Sequence, residues 1–506
     1  MRKYLMYFNL ILAILVIKTY ANDINKVLSE CKKPYTFVLL GATGDLSKRE
    51  IYPALWYLYQ HGFLPPKLKI LGFSPIPTSI DSLKANVAPF VNIRPEDTEL
   101  YNKFWRINYY IQGSKNNDLD YDRINKQIEK WENNDKGNRI FYMAIPPSVF
   151  AMAASQIKRA CMSPKGITRI VVEKPFGKDS KSSQMLSDHL SSLFMEEQIY
   201  RMDHFLGIEM NQNLLALRFA NKIFEPTWNH KHIAAVKIDF KENFGVEGRG
   251  AYFDKYGMIR DVVQNHLLQV VSLLAIERPK SVHSTDVRDA KVEFLKKVDP
   301  ILLKDVVIGQ YVGNPSSNDP RERLGYLDDP SVPQGSITST FSLTVLKVRN
   351  ERWSGVPFII RAGKGLAKNV TEIIIQYKNV TNDIFNGQLS RNELVIQIVR
   401  NNKMQLKIMS KTPGMSSNLE KIEINFDYSK EFKNKDIPQA YSNLLLDVFS
   451  GSQKYFVRTD ELKEAWRIFT PILHQIENKK IRPIQYKYGS TGPAEADVIE
   501  RRYNFL

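Results

Sequence analysis

A buried strand, a glycine turn and a helix follow one another near the start of this chain. Residues 35–40 form an apolar run that ends at the segment Gly41-Ala42-Thr43-Gly44-Asp45-Leu46, and a helical pattern of apolar residues follows it. This order is typical of the first part of a βαβ unit. Further parallel strands, with helices between them, are predicted at residues 68–73, 139–145 and 168–172. The chain up to residue 202 is therefore predicted to be doubly wound.

The pattern changes in the second part of the chain. Strand-like runs with few helices between them occur at residues 234–240, 335–348, 372–377, 393–398 and 405–409. Such a series is typical of a mixed or antiparallel sheet. The sequence therefore predicts an α/β plus α+β chain. Its Rossmann-like domain covers residues 34–202, and a second domain with a large, mostly antiparallel sheet covers residues 203–506.

The composition of the 506 residues excludes several classes of protein. Hydrophobic residues make up 43% and charged residues 25%, which excludes a disordered, collagenous or polytopic membrane chain. The 71 Lys and Arg outnumber the 54 Asp and Glu, but they are scattered, which favours an anionic small substrate or simple solubility over nucleic acid. Two cysteines and eight histidines without metal-ligand spacing argue against a metal site.

The first 21 residues have the order of a secretory signal peptide. Arg2 and Lys3 precede an apolar run over residues 4–17, and Thr19-Tyr20-Ala21 supplies small residues at a cleavage position. We expect the mature protein to enter the secretory pathway, secreted or in the lumen of the endoplasmic reticulum, with no membrane attachment after cleavage. An N-terminal anchor and a misassigned start codon are the alternatives, and an unused signal would leave the protein cytoplasmic.

Two glycines after the first strand are candidates for binding a phosphate. Gly41 and Gly44 allow a phosphate to approach the backbone at a helix N-terminus, with Lys48 nearby. The spacing is GxxGDLxK rather than GxGxxG, and a tight structural turn is the alternative. The end of the second strand, Gly72-Phe73-Ser74-Pro75, supplies neither an acidic residue for a ribose hydroxyl nor an arginine for a 2′-phosphate.

Two further clusters combine charged side chains with strand ends. Lys174 follows a predicted strand that ends at Val172, at the edge where open α/β sheets bind ligands. A solvated lysine in a turn is the alternative. Asp203 and His204 lie among apolar residues before Gly207. Adjacent residues rarely face each other, so these two do not form a dyad by themselves.

A predicted helix over residues 259–271 carries polar residues where a core helix would have apolar ones. On an α-helix Asp261 and Asn265 share a face, whereas His266 lies about 140° from Asp261. To act as a general base, His266 therefore needs a carboxylate from elsewhere, and Asp203 is the candidate. The alternative is that each histidine is an ordinary core residue.

Together these segments resemble the glucose-6-phosphate dehydrogenase family from about residue 35 to about residue 502. The blocks that carry the resemblance occur in the family's order: GATGDLSKREIYP, RIFYMAIPP, VVEKPFG, YRMDHFLG, LRFANKIFEPTWN, FKENFGVEGRGAYFDKYGMIRDVVQNHLLQ, NERWSGVPFIIRAGK, RNELVI and EAWRIFTPILHQIE. The resemblance implies a nucleotide domain and a large antiparallel sheet through which homodimers or tetramers form. It also implies oxidation of glucose 6-phosphate at C1 to the lactone with NADP, the entry step of the pentose phosphate pathway.

Site residues follow from the resemblance position by position. His266 would take the proton from the C1 hydroxyl, and Asp203 would orient and stabilise its imidazole. The residues that would bind the substrate are Lys174, His204, Glu242, Asp261 and Lys364, and Lys174 would also contact the cofactor. The cofactor's pyrophosphate would lie at the turn formed by Gly41, Gly44, Asp45, Leu46 and Lys48.

Several positions depart from the family's pattern. A phosphate-binding lysine of the family is Ile208 here, and the arginine that binds the cofactor's 2′-phosphate is Pro75. Another family arginine is Asn369, and positions of a second, structural NADP site read Gln397, Gln405 and Thr491. The chain therefore keeps the expected catalytic residues and loses several that bind anions.

Two functions fit this pattern. One is a secreted or luminal glucose-6-phosphate dehydrogenase with relaxed choice of substrate or cofactor, which the retained histidine and carboxylate favour. The other is a secreted, catalytically impaired paralogue that binds a nucleotide or a partner, which the lost anion-binding residues and the secretory route favour. A bifunctional enzyme with an added lactonase domain is not expected, because the sequence has no room for one after the dehydrogenase segment.

Overall fold

Two β-sheets organise the residues that the computed structural model describes, which are 33–114, 116–133, 137–399, 402–433 and 435–505. The predicted signal peptide, residues 1–21, lies outside them. The strands are β1 (Tyr35–Leu40), β2 (Leu68–Ser74), β3 (Asn108–Gln112), β4 (Asn138–Met143), β5 (Thr168–Glu173), β6 (Ile199–Met202), β7 (Ile233–Lys241), β8 (Val306–Val312), β9 (Phe341–Leu346), β10 (Phe358–Gly363), β11 (Val370–Tyr377), β12 (Glu393–Gln397), β13 (Lys403–Lys411), β14 (Leu419–Asp427) and β15 (Ile484–Lys487).

Helices connect and cover these strands. The α-helices are α1 (Tyr52–Gln60), α2 (Ile80–Val87), α3 (Thr98–Arg106), α4 (Asp118–Glu132), α5 (Phe150–Ala160), α6 (Ser180–Leu193), α7 (Glu209–Phe219), α8 (Gly250–Phe253), α9 (Leu268–Ala275), α10 (Ser284–Lys296), α11 (Tyr428–Glu431), α12 (Ala440–Ser450), α13 (Thr459–Asn478) and α14 (Ala494–Arg502). Two π-helical segments, Ser47–Ile51 and Ile259–Leu267, lead into α1 and α9. None of the helices in the described ranges combines the length and hydropathy that a membrane crossing requires.

The first sheet has six strands, all parallel, in the order β3-β2-β1-β4-β5-β6. This is the strand order of doubly wound, dinucleotide-binding folds. Every residue of β1, β4 and β5 is buried, as expected where helices cover both faces of a sheet. The predicted doubly wound fold is confirmed.

The second sheet has nine strands in the order β14-β13-β12-β11-β7-β10-β9-β8-β15. β7 pairs with β10, and β8 with β15, in parallel, and every other pair is antiparallel. The predicted large, mostly antiparallel sheet is therefore confirmed. The strand predicted at residues 335–348 is too long, because Gly335 has φ +73° and Ser336 N donates to Pro333 O in a turn at 3.1 Å.

Contacts divide the chain into two units. Among the described residues, the first comprises residues 33–176, Met185–Gly207 and Pro438–Arg458, and the second comprises Gly177–Gln184, Ile208–Ile437 and residues 459–505. The late segment with α12 joins the first unit through the Arg169 guanidinium, which donates to Val448 O at 2.7 Å and Phe449 O at 2.9 Å. The domain boundary predicted after residue 202 stays a prediction.

Candidate active site

The glycine turn after β1 lies against the backbone that follows β4. Gly41 has φ +88°, and a Cβ atom there would lie 2.1 Å from the carbonyl oxygen of Ala144, so only glycine fits. The turn closes through Gly44 N, which donates to Gly41 O at 2.9 Å, and the Ser47 hydroxyl donates to the same oxygen at 2.8 Å. A helical segment begins directly after this turn, and a helix N-terminus is a common place for a phosphate to bind.

The charged side chains of this turn are partly paired with each other. Arg49 Nε lies 2.7 Å from Asp45 Oδ1, with both side chains exposed, and the Arg49 guanidinium lies 4.6 Å from the centre of the Phe90 ring. Leu46 and Lys48 are half-buried. The first unit thus brings together all five residues predicted to hold a pyrophosphate, namely Gly41, Gly44, Asp45, Leu46 and Lys48.

A cavity of about 440 Å³ lies beyond the ends of β2 and β3. The residues that line it are Pro75, Gln112, Gly113, Ser114, Asp120 and Arg123. Arg123 Nη1 donates to Asp120 Oδ1 at 2.8 Å and to Gln112 O at 3.2 Å, and the Gln112 amide donates to Pro75 O at 3.2 Å. The sequence interpretation missed Arg123, because nothing in the local pattern of α4 places it near Pro75.

The ends of β5 and β6 carry three predicted site residues of the first unit. Lys174 follows β5 and is half-buried. Asp203 is 2% exposed, and its Oδ1 accepts a hydrogen bond from Phe205 N at 3.0 Å. The His204 ring stacks on the Tyr441 ring, with centroids 5.9 Å apart and an interplanar angle of 10°. Tyr441 was not predicted from the sequence.

Two predicted residues of the second unit follow neighbouring parallel strands. Glu242 comes directly after β7 and Lys364 directly after β10, and these strands pair in register. The two side chains form an ion pair, and Glu242 N donates to Gly363 O at 2.9 Å. The Lys364 ammonium also lies 5.3 Å and 5.5 Å from the ring centres of Phe244 and Phe253. The carboxyl ends of these two neighbouring strands therefore offer both a carboxylate and a cation. Such a pair suits a substrate that carries hydroxyl groups and a negative charge.

The segment around His266 is π-helical over Ile259–Leu267, which corrects the expected geometry. Hydrogen bonds of a π-helix run between residues five apart, so the α-helical angle of about 140° between Asp261 and His266 does not apply. His266 is 3% exposed. Asp261 is half-buried, and the Tyr252 hydroxyl donates to its Oδ1 at 3.3 Å. π-helical turns are frequent at functional sites.

Two of the positions that depart from the family's pattern, Asn369 and Gln405, supply hydrogen bonds but no cation. The Asn369 amide donates to Asn243 Oδ1 at 3.0 Å, and the Gln405 amide donates to Asn425 Oδ1 at 2.8 Å. Ile208 is half-buried directly before α7. None of these three side chains carries a positive charge, so none of them can replace an anion-binding lysine or arginine.

The predicted site residues fall into two groups. The first unit contains Lys174, Asp203, His204 and the glycine turn, and the second unit contains Glu242, Asp261, His266 and Lys364. Their roles stay predictions.

Known proteins match this chain along nearly its whole described length. The family model described as glucose-6-phosphate dehydrogenase, NAD binding domain, matches residues 38–213, and that of the C-terminal domain matches residues 215–505. The chain is 51% identical over 474 residues to glucose-6-phosphate 1-dehydrogenase of Drosophila melanogaster, covering 94% of this chain and 90% of that protein. The corresponding protein of Ceratitis capitata is 48% identical over 473 residues, covering 93% and 90%.

A solved structure gives the same result in three dimensions. It is described as glucose-6-phosphate dehydrogenase in complex with its substrate glucose-6-phosphate, and it matches with a TM-score of 0.89 at 40% identity over 94% of this chain and 98% of that one. Two family models follow each other along the chain and together cover most of it, and the relatives are identical to it at about half of the aligned positions. The chain therefore belongs to the glucose-6-phosphate dehydrogenase family.

Proposed function

We propose that this chain oxidises glucose 6-phosphate at C1 to the lactone and transfers the hydride to NADP. The observation that carries this function is the near-full-length match to a structure solved with glucose 6-phosphate. Relatives at about half identity are glucose-6-phosphate 1-dehydrogenases. The alternative, a catalytically impaired binding protein, has no support in these comparisons.

The turn after β1 fits a dinucleotide. Only glycine fits at position 41, since a Cβ atom there would overlap the Ala144 carbonyl, and a glycine turn between a strand and a helix is where such folds bind a phosphate. The residues that would hold the pyrophosphate are Gly41, Gly44, Asp45, Leu46 and Lys48. NADP supplies the hydride acceptor when it is bound.

Proton removal is assigned to His266. Its imidazole is 3% exposed and takes the proton from the C1 hydroxyl as the hydride leaves, which is the usual work of a histidine base. Asp203 is proposed as the carboxylate that stabilises the protonated ring.

Substrate binding is assigned to residues of both charges. Glu242 and Asp261 accept hydrogen bonds from sugar hydroxyls, and Lys174, His204 and Lys364 bind the phosphorylated sugar. Because Glu242 and Lys364 are paired with each other, a phosphate dianion has to share the ammonium group with that carboxylate. This pairing lowers the effective charge that Lys364 offers to the substrate.

The test is a steady-state assay of the purified mature protein. Glucose 6-phosphate or free glucose is supplied with NADP or NAD, and formation of the reduced cofactor is followed. Reduction of NADP that depends on glucose 6-phosphate supports the proposed function. Absence of reduction with either cofactor, in a protein shown to be folded, contradicts it.

Pro75 is expected to weaken the preference for NADP over NAD. Two guanidinium groups of the first unit that could replace the missing arginine are already paired, Arg49 with Asp45 at 2.7 Å and Arg123 with Asp120 at 2.8 Å. Pro75→Arg should raise the ratio of kcat/KM with NADP to kcat/KM with NAD at least about tenfold, because arginine binds a phosphate through charge-assisted hydrogen bonds.

The control for this exchange is Pro75→Gln, which adds a polar side chain without charge. It should leave the cofactor ratio within about threefold of the wild type. A wild type that is already strongly NADP-selective, and that Pro75→Arg does not change, would show that another cation binds the 2′-phosphate.

We infer from residues 1–21 that the protein follows the secretory route. N-terminal sequencing of protein from the culture medium or the lumenal fraction should begin near Asn22, because the charged, apolar and small residues occur in the order that signal peptidase requires. Leu15→Arg, which places a charge in the apolar run, should keep the protein in the cytosol. Wild-type protein that retains Met1 in the cytosol contradicts this route.

We also propose that homodimers or tetramers form through the second sheet. Among the described strands, β14 is terminal in this sheet and pairs with β13. Its Ile422 and Ile424 are 39% and 52% exposed, and exposed apolar side chains on an edge strand favour a covering partner. Light scattering after size exclusion measures the oligomer, and a monomer at micromolar concentration contradicts the proposal.

A further inference from the structure

A buried carboxyl group and two tyrosines meet at the end of β5. Glu173, the last residue of β5, is 7% exposed, and Tyr142 on β4 is fully buried. The Tyr142 hydroxyl donates to the Glu173 carboxylate and lies 3.0 Å from Met202 Sδ. Tyr441 in α12 is 8% exposed; burial first, and then the charge of Glu173 and a hydrogen bond to it, raise the pKa of the Tyr441 hydroxyl. One carboxyl group thus interacts with tyrosine hydroxyls from two different elements, by a direct hydrogen bond from Tyr142 and through its effect on the pKa of Tyr441.

Tyr441 connects this carboxyl group to His204. The two rings stack at 5.9 Å with an angle of 10°. The turn that carries His204 is packed tightly on the start of α12: the Asn443 amide donates to Gly207 O at 3.0 Å, and a Cβ atom on Gly207 would lie 2.3 Å from Ala440 O. The orientation of the Tyr441 ring therefore limits the orientation of the imidazole.

The charge state of Glu173 changes near neutral pH. Burial raises the pKa of Glu173 to about 7, while the Tyr142 hydrogen bond and the charge of Lys174 lower it and the charge of Asp203 raises it. The carboxyl group is therefore ionised above about pH 7 and protonated below it, within the range where proteins of this family would be assayed.

The two tyrosines stay protonated over the same range. Burial, and then the charges of Glu173 and Glu50, raise the pKa of Tyr441 well above its usual value, and burial and Glu173 do the same for Tyr142. An ionised Glu173 accepts hydrogen bonds from both hydroxyls. A protonated Glu173 is a weaker, uncharged acceptor and carries an O–H donor of its own, so its hold on the two hydroxyls weakens.

We propose that Glu173 is a positioning residue that, in its ionised form and through Tyr441, orients His204 toward the phosphate group of the substrate. The inference rests on the proposed function, in which His204 binds the phosphorylated sugar. Because the ionised form predominates at the higher pH, affinity for glucose 6-phosphate should be greatest there. It should fall as the pH drops and the carboxyl group takes up a proton.

The experiment compares the wild type with Glu173→Gln, which keeps the shape of the side chain but cannot ionise. Calorimetry gives the Kd for glucose 6-phosphate, and assays give KM and kcat, between about pH 6 and pH 8.5. At the upper end the variant should show Kd and KM raised about threefold to tenfold, the usual effect of one lost hydrogen bond, with kcat within about twofold. The change in Kd that the wild type shows near neutral pH should be absent in the variant. Ionisation of the substrate phosphate affects both proteins equally.

Tyr441→Phe and Tyr142→Phe form a matched pair of variants. They test the same inference if Glu173→Gln does not fold. Tyr441→Phe keeps the stacked ring and loses its link to Glu173, so it should raise Kd as Glu173→Gln does. Tyr142→Phe keeps the stacked Tyr441 ring and its contact with Glu173 but loses the hydrogen bond that lowers the Glu173 pKa. It should therefore keep Kd within about twofold of the wild type at about pH 8.5, where Glu173 is ionised, and move the pH-dependent change in Kd to higher pH. Equal effects of the pair on Kd, or a pH-dependent change in Kd that persists in Glu173→Gln, overturn the inference.

The proposed function and this inference can fail separately. A wild type that binds glucose 6-phosphate with the expected pH-dependent change in Kd but reduces no cofactor contradicts the proposed function alone. A wild type that reduces NADP but lacks this change contradicts the inference alone. A wild type that does not bind glucose 6-phosphate contradicts both.

Discussion

His266→Asn is expected to lower kcat by about 10²- to 10⁴-fold while changing KM for glucose 6-phosphate by less than about threefold. Asparagine can still form hydrogen bonds in place of the imidazole, but it cannot take up a proton near neutral pH. The loss should therefore appear in the chemical step, and steady-state kinetics with saturating NADP measure it.

A matched exchange separates catalysis from folding. His266 is 3% exposed within the π-helical segment, so thermal unfolding of each variant has to be compared with the wild type. His230→Asn makes the same exchange at a half-buried histidine of the second unit, whose backbone N–H donates to Arg352 O at 2.6 Å. It should keep kcat within about twofold. A folded His266→Asn variant with unchanged kcat would show that another group removes the proton.

Local sequence patterns predicted several fully buried strands but missed two others, Ile199–Met202 and Phe358–Gly363. The strand predicted at residues 35–40 is observed as Tyr35–Leu40, with every residue buried and Gly41 ending it at a positive φ. By contrast, β14, Leu419–Asp427, was missed because it is mostly exposed and mixes Glu, Lys and Ile. Its hydrogen bonds to β13 rather than a buried face define it, and a single sequence does not show such pairing.

The candidate site was predictable only as single residues. Glu242 and Lys364 meet because β7 and β10 are parallel neighbours, and neither strand's own sequence indicates its partner. Tyr441 was missed for the same reason, since it contacts His204 from a segment far along the chain. The π-helical segment before α9 was also not predicted, because the spacing of apolar residues is interpreted with the α-helical period. Resemblance supplied the roles that pattern analysis left open.

Ile208→Lys is expected to lower KM for glucose 6-phosphate by about 10- to 150-fold, because a charge-assisted hydrogen bond to a phosphate is worth about 1.5–3 kcal/mol. The backbone tolerates this exchange. Ile208 has φ −68° and ψ 128°, and its carbonyl oxygen accepts hydrogen bonds from Asn211 N at 3.0 Å and Gln212 N at 3.1 Å. These bonds involve no Ile208 side-chain atom, so they should survive in the variant.

Selectivity distinguishes a new phosphate contact from a general change in the site. Free glucose has no phosphate, so its KM should stay within about threefold, and the preference for the phosphorylated sugar should rise at least about tenfold. Ile208→Met, which is unbranched like lysine but uncharged, should leave both KM values near those of the wild type. An equal gain for both sugars would mean that the exchange alters the site as a whole. No gain for glucose 6-phosphate would mean that the phosphate lies out of reach of position 208, and Lys364, despite its pairing with Glu242, would then remain the stronger candidate for the phosphate-binding cation.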